Sequence, residues 1–99
     1  MTPRVVFQAL ARAELREARR WYEEQVAGLG LEFARAVEGA IDAITRHPLA
    51  FTEVEPEFRQ CVMRRFPYSL IYRVTESAIV VVAIHHQRRD PATWRGRTV

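Results

Sequence analysis

The 99-residue chain contains no lysine; all fifteen of its basic residues are arginine. Any chemistry it performs must therefore proceed without an amine nucleophile or a Schiff base. Cys61 is the only cysteine, which excludes an internal disulfide and a cysteine-rich metal site. No apolar run has the length of a membrane-spanning helix, and the first residues lack the form of a secretory leader. A cytoplasmic protein with no membrane association is expected. The chain also lacks a glycine-rich phosphate loop, a Gly-x-Ser-x-Gly elbow and a His-Glu-x-x-His zinc helix, so neither a cofactor nor a metal is expected. With no repeat, linker or low-complexity stretch, residues 1–99 read as one domain.

What is present is arginine, aromatics and clear periodicity. The formal charge of +3 and pI near 9.7 suit an acidic partner, protein or nucleic acid. Arg4 to Gln8 reads as a short first strand. Ala11, Leu15, Ala18, Tyr22 and Val26 then recur at helical spacing, with Trp21 beside Tyr22 and a charged opposite face. Gly28-Leu29-Gly30 ends this helix, and a second runs from about Leu31 to Arg46 with Phe33, Val37, Ala40, Ile41 and Ile44 on one stripe. His47-Pro48 stops it. The short join predicts an antiparallel helical hairpin.

The stretch 49–56 reads as a loop, and its comb of Glu53, Glu55 and Glu57 as solvated carboxylates, since no histidine stands nearby in sequence. Strands follow at 58–65, at 69–74 after the Pro67 corner, and at 78–85. The last is a nearly continuous apolar run, which suits a central strand covered on both faces. Asp90-Pro91 starts a single helical turn holding Trp94. The predicted order is β-α-α-β-β-β: an α+β domain whose helical hairpin packs on a mostly antiparallel four-stranded sheet.

His85 and His86 are strand neighbours, so they face opposite sides and cannot chelate one metal together; either can serve as a general acid or base. Arg59, Arg64, Arg65, Arg73, Arg88 and Arg89 come from adjacent strand ends. With Tyr68, Tyr72 and Trp94 beside them, they are expected to form one basic, aromatic partner-binding surface. Arginine forks grip carboxylates and phosphates, and aromatic planes suit bases or flat side chains.

From residues 4–97 the chain resembles the RelE/ParE superfamily of bacterial type II toxins, the ParE branch in particular. The resemblance rests on Trp21-Tyr22-Glu23-Glu24, on Gly28-Leu29-Gly30-Leu31-Glu32-Phe33 and on Arg46-His47-Pro48. It also rests on Arg64-Arg65-Phe66-Pro67-Tyr68-Ser69-Leu70-Ile71-Tyr72, and on His85-His86-Gln87-Arg88-Arg89-Asp90-Pro91 with Trp94 and Arg97. It implies a toxin encoded beside a small acidic antitoxin that folds over it, docking on the hairpin and the open sheet edge. ParE-like relatives poison DNA gyrase without catalytic residues of their own; RelE-like relatives cut mRNA on the ribosome. Where RelE-type nucleases carry two lysines and an arginine, this chain has Gln60, Val62 and Ser69. Arg89 alone matches an active-site arginine of that branch. The resemblance therefore implies non-covalent inhibition of gyrase. Ribosome-dependent RNase activity through Arg89, His85 and Tyr72, and a non-toxic interaction domain on the same fold, are the alternatives.

Overall fold

The computed structural model describes residues 3–97. Its elements run β1 (Val5–Phe7), α1 (Ala9–Gln25), α2 (Leu29–Arg46), β2 (Thr52–Glu55), β3 (Phe58–Val62), β4 (Tyr68–Val74), β5 (Ile79–His86) and α3 (Ala92–Arg95). One sheet takes the order β1-β5-β4-β3-β2, with β1 parallel to β5 and every other pair antiparallel. The α+β class, the hairpin and the mostly antiparallel sheet are as expected. The strand count is a correction: the sheet has five strands, because residues 52–55 of the expected loop pair with β3.

The helical hairpin covers one face of the sheet. Phe33, Val37 and Ile44 of α2 and Ala11 and Ala18 of α1 meet Leu70, Tyr72, Ile79, Val81 and Ile84 there. The other face carries a smaller cluster, Ile71, Val82, Ala83 and Trp94. Strand β5 is thus apolar throughout because it is covered twice. Its alternation breaks once. The register runs Ile71↔Ala83 and then Tyr72↔Val81, so Val82 has no partner opposite. This β-bulge turns Val82 and Ala83 to the same face.

The join between the helices is held by one carboxylate. Gly28 takes a left-handed conformation, φ 89°, which glycine adopts without a steric cost. Glu23 Oε2 accepts from the Gly28 N–H at 2.9 Å, and Oε1 from the Gly30 N–H at 3.0 Å. A side chain of α1 thereby satisfies orphan donors at the start of α2 and complements its dipole. These bonds hold the Glu23 carboxyl below its ordinary range. Gly30 is buried against α1, and a Cβ there would lie 2.7 Å from the Arg19 carbonyl oxygen.

A second polar device closes the edge of β5. Strand β1 stops at Phe7, and Gln8 donates the last bond to Val81 O at 3.0 Å. Beyond it, Glu14 Oε1 accepts from the Ile84 N–H at 3.0 Å, and Arg97 Nη1 donates to Val82 O at 2.8 Å. The same Arg97 grips Glu14 through both of its terminal nitrogens, at 3.0 and 2.8 Å. Two side chains supply the hydrogen bonds that a longer β1 would have made.

Three outcomes test these contacts. Gly30→Ala should destabilise by about 1–3 kcal/mol in urea unfolding through overpacking, although helix propensity alone favours alanine by ~1 kcal/mol. Because the Glu23 carboxyl is depressed in the fold, its contribution is present above the ordinary glutamate range and is lost as pH falls through the folded value. Glu23→Gln should therefore flatten the acid limb of a stability-versus-pH curve. Arg97→Ala should cost about 2 kcal/mol, below the roughly 3–5 kcal/mol of a fully buried pair, since both partners keep some solvent contact.

Candidate functional site

A cleft of about 600 Å³ opens between α1 and the end of the sheet. One wall is a helical stripe of α1: Glu14, Glu17, Ala18, Trp21 and Tyr22. The other is Pro67 and Tyr68 at the corner, Ile84 and His86 on β5, and Arg88 and Arg89 in the turn that follows. The corner and the turn are tied together, since the Gln87 N–H donates to Pro67 O at 2.8 Å.

The floor is aromatic. Tyr68 packs edge-on against His86 at 5.0 Å and against Phe33 at 5.2 Å, with Tyr22 beyond at 6.3 Å. Burial raises the phenols of Tyr22 and Tyr68 above their ordinary range. The Arg88 N–H donates to His86 Nδ1 at 3.1 Å, which leaves the ring proton on Nε2. Trp21 is 55% exposed beside exposed Arg88 and Arg89, neither of which carries a salt bridge among the described residues. Exposed indole and two free guanidinium forks make a place for apolar and anionic groups together.

Only part of the expected partner-binding set meets here. Tyr68, Arg88 and Arg89 line the cleft. Arg64 is exposed on the corner, and its neighbour Arg65 pairs with Glu32 of α2 and lies over the Phe66 ring. Arg59 instead holds the loop after α2, donating to Leu49 O at 3.2 Å and Phe51 O at 2.8 Å. Arg73 sits near Glu57 at 3.6 Å on the opposite face. Trp94 is a correction: it is 3% exposed, packed near Phe58 on the far side of the sheet. Strand alternation separates these residues, because Arg59 opposes Tyr72 while Arg73 opposes Val80.

The three candidate nuclease groups do not converge. Tyr72 is fully buried under the hairpin, its hydroxyl donating to Pro48 O at 2.6 Å, and burial pushes its phenol up to about 12. His85 lies on the other face, 8% exposed, with Nδ1 3.5 Å from Thr93 Oγ1. Burial lowers its imidazole below the ordinary range. Cys61 is buried as expected, with its thiol raised. Among the described residues no cluster of His, Cys, Asp or Glu is arranged to hold a metal ion, and no helix is long and apolar enough to cross a membrane.

Trp21, Tyr22, Glu14 and Glu17 belong to the cleft but were not among the expected site residues. Their signal was available: positions 14, 17, 18, 21 and 22 form one helical stripe that mixes acidic, small and large aromatic residues.

The family model described as "ParE toxin of type II toxin-antitoxin system, parDE" matches residues 5–91. The chain is 33% identical over 66 residues to Toxin ParE2 of Mycobacterium tuberculosis in two strains, covering 59% of this chain and 63% of each relative. It thus spans under two thirds of the length of these curated relatives. Among solved structures, a chromosomal ParDE toxin-antitoxin system from P. aeruginosa matches at a TM-score of 0.62 and 18% identity, over 86% of this chain and 96% of that one. The toxin-antitoxin complex RelBE2 from Mycobacterium tuberculosis matches at 0.58 and 23%, over 87% and 99%. At such identities the structural matches establish the fold.

Proposed function

The chain belongs to the ParE toxin family of type II toxin-antitoxin systems, and from that premise we propose that it inhibits DNA gyrase by non-covalent binding and is silenced by a cognate antitoxin. The observation that carries the non-covalent mechanism is the placement of Tyr72 and His85 on opposite faces of one sheet. Groups so placed cannot address one scissile phosphate. Arg89 alone would be left to stabilise its charge, a task that takes several preorganised donors.

The gripping surface in this reading is the cleft. Arg88 and Arg89 meet acidic groups of a partner, and Trp21 and Tyr68 its apolar side chains. An acidic, amphipathic antitoxin segment has that chemistry and orders as it binds. By occupying the arginines it withholds them from the target. Docking also extends over the hairpin, where Leu10, Val26 and Leu31 are exposed.

Purified gyrase supplies the test. The chain should block supercoiling and trap cleaved DNA, and the double variant Arg88→Ala, Arg89→Ala should need at least about tenfold more protein for the same effect, with the fold intact. Co-expression with the small acidic protein encoded beside it should yield a complex that relieves inhibition. Absence of inhibition together with mRNA cutting on ribosomes would replace this reading with the endoribonuclease.

A further inference from the structure

The outer face of α1 carries arginines with no charge set against them. Ala9, Ala13, Arg16 and Arg20 form one helical stripe, and Arg12 and Arg19 flank it. All four arginines are exposed, and none carries a salt bridge among the described residues. The acids of the helix are turned elsewhere. Glu14 holds Arg97 and the Ile84 N–H, and Glu17 lines the cleft. Glu23 feels the charge of Arg19, but its oxygens are taken by the Gly28 and Gly30 N–H groups. Glu24 pairs with no cation among the described residues. Arg12 with Arg16, and Arg16 with Arg20, are like charges one turn apart, an arrangement that weakens a helix. The fold gains nothing from this ridge, and a feature that costs the fold stability points to a partner.

We propose that this ridge binds the phosphate backbone of duplex DNA.

The composition of the face selects the partner. A tight protein interface needs a desolvated apolar or aromatic anchor at its centre. The ridge has none, since Leu10 and Trp21 fall on the stripe of Glu14 and Glu17 that turns toward the cleft. Single-stranded nucleic acid is gripped by stacking its bases on aromatic rings, and no ring stands among these arginines. A regular array of phosphates asks only for charge, and guanidinium forks match its oxygens. From Arg12 to Arg20 the helix rises about 12 Å, a length over which duplex DNA presents about seven charges. The major groove of B-DNA admits an α-helix, and small Ala9 and Ala13 let this one approach closely, whereas the corresponding groove of duplex RNA is too narrow. Contacts of this kind position a protein on DNA without reading its sequence. The inference goes beyond the gyrase reading and does not need it, because the ridge and the cleft lie on different sides of α1 and DNA binding is measured with no gyrase present.

The probe is a fluorescein-labelled DNA duplex of mixed sequence, titrated with the chain and followed by anisotropy, with single-stranded DNA and duplex RNA of the same sequence as competitors. Four phosphate contacts predict a plot of log K against log salt with a slope of about −3 to −4 between about 50 and about 200 mM. Arg16→Gln combined with Arg20→Gln should halve that slope and weaken binding at least about tenfold at the lower salt. The same double variant should melt no lower than its parent, because it removes a like-charge pair; this separates lost binding from lost folding. The duplex should also outbind both competitors. The proposal fails if no duplex binding is measured at about 50 mM salt, or if the double variant keeps the affinity and slope of its parent. Better competition by single-stranded DNA or by duplex RNA overturns it as well. So does an equal loss in Arg88→Ala combined with Arg89→Ala, which would move the contact to the cleft.

Discussion

Burial of β5 on both faces is the constraint that the other elements answer to. An eight-residue strand that is apolar on both sides cannot stay in water. The helical hairpin covers one side and α3, anchored by Trp94, covers the other. β1 and β4 flank the strand within the sheet. The bulge at Val82 then fixes the chemistry of the strand's far end. Strict alternation from Ile79 would have turned His85 toward the helices and His86 away from them. One unopposed residue reverses this, so that His86 packs on Tyr68 in the cleft and His85 joins Ser69 on the opposite face. A single inserted residue decides which imidazole each face receives.

Much of this was legible in the sequence. Helical stripes, the glycine join, the Pro67 corner and the apolar run each follow from spacing and from the chemistry of one or two residues. β2 was not legible. Thr52-Glu53-Val54-Glu55 carries two charges, and the turn that pairs it with β3 places Glu57 at φ 71°, where a glycine or asparagine would have announced a hairpin. Carboxylates of this edge strand find arginines, Glu53 near its register partner Arg59 on β3 and Glu55 on Arg95 of α3; a linear reading sees only an acidic loop.

The site was legible in residue type more than in place. Arginines near one another in sequence scatter because a strand sends neighbours to opposite faces, and because several of them support loops and turns. Arg59 ties down the chain after α2, and Arg97 completes a strand edge. A chain that uses arginine for every cation gains a rigid, many-donor group at each such position. Trp94 was misplaced for another reason: a four-residue helix is too short to show a periodicity that would mark its buried side.

The Glu14–Arg97 pair also bears on the order of events during synthesis. Its partners lie 83 residues apart, and Arg97 is translated after all five strands. Until it emerges, the Val82 carbonyl lacks its donor and the rim of the sheet stands open. An open strand edge is a template for pairing with another polypeptide. The Glu14–Arg97 pair thus covers, from both ends of the sequence, an edge that would otherwise be open to another copy of the chain.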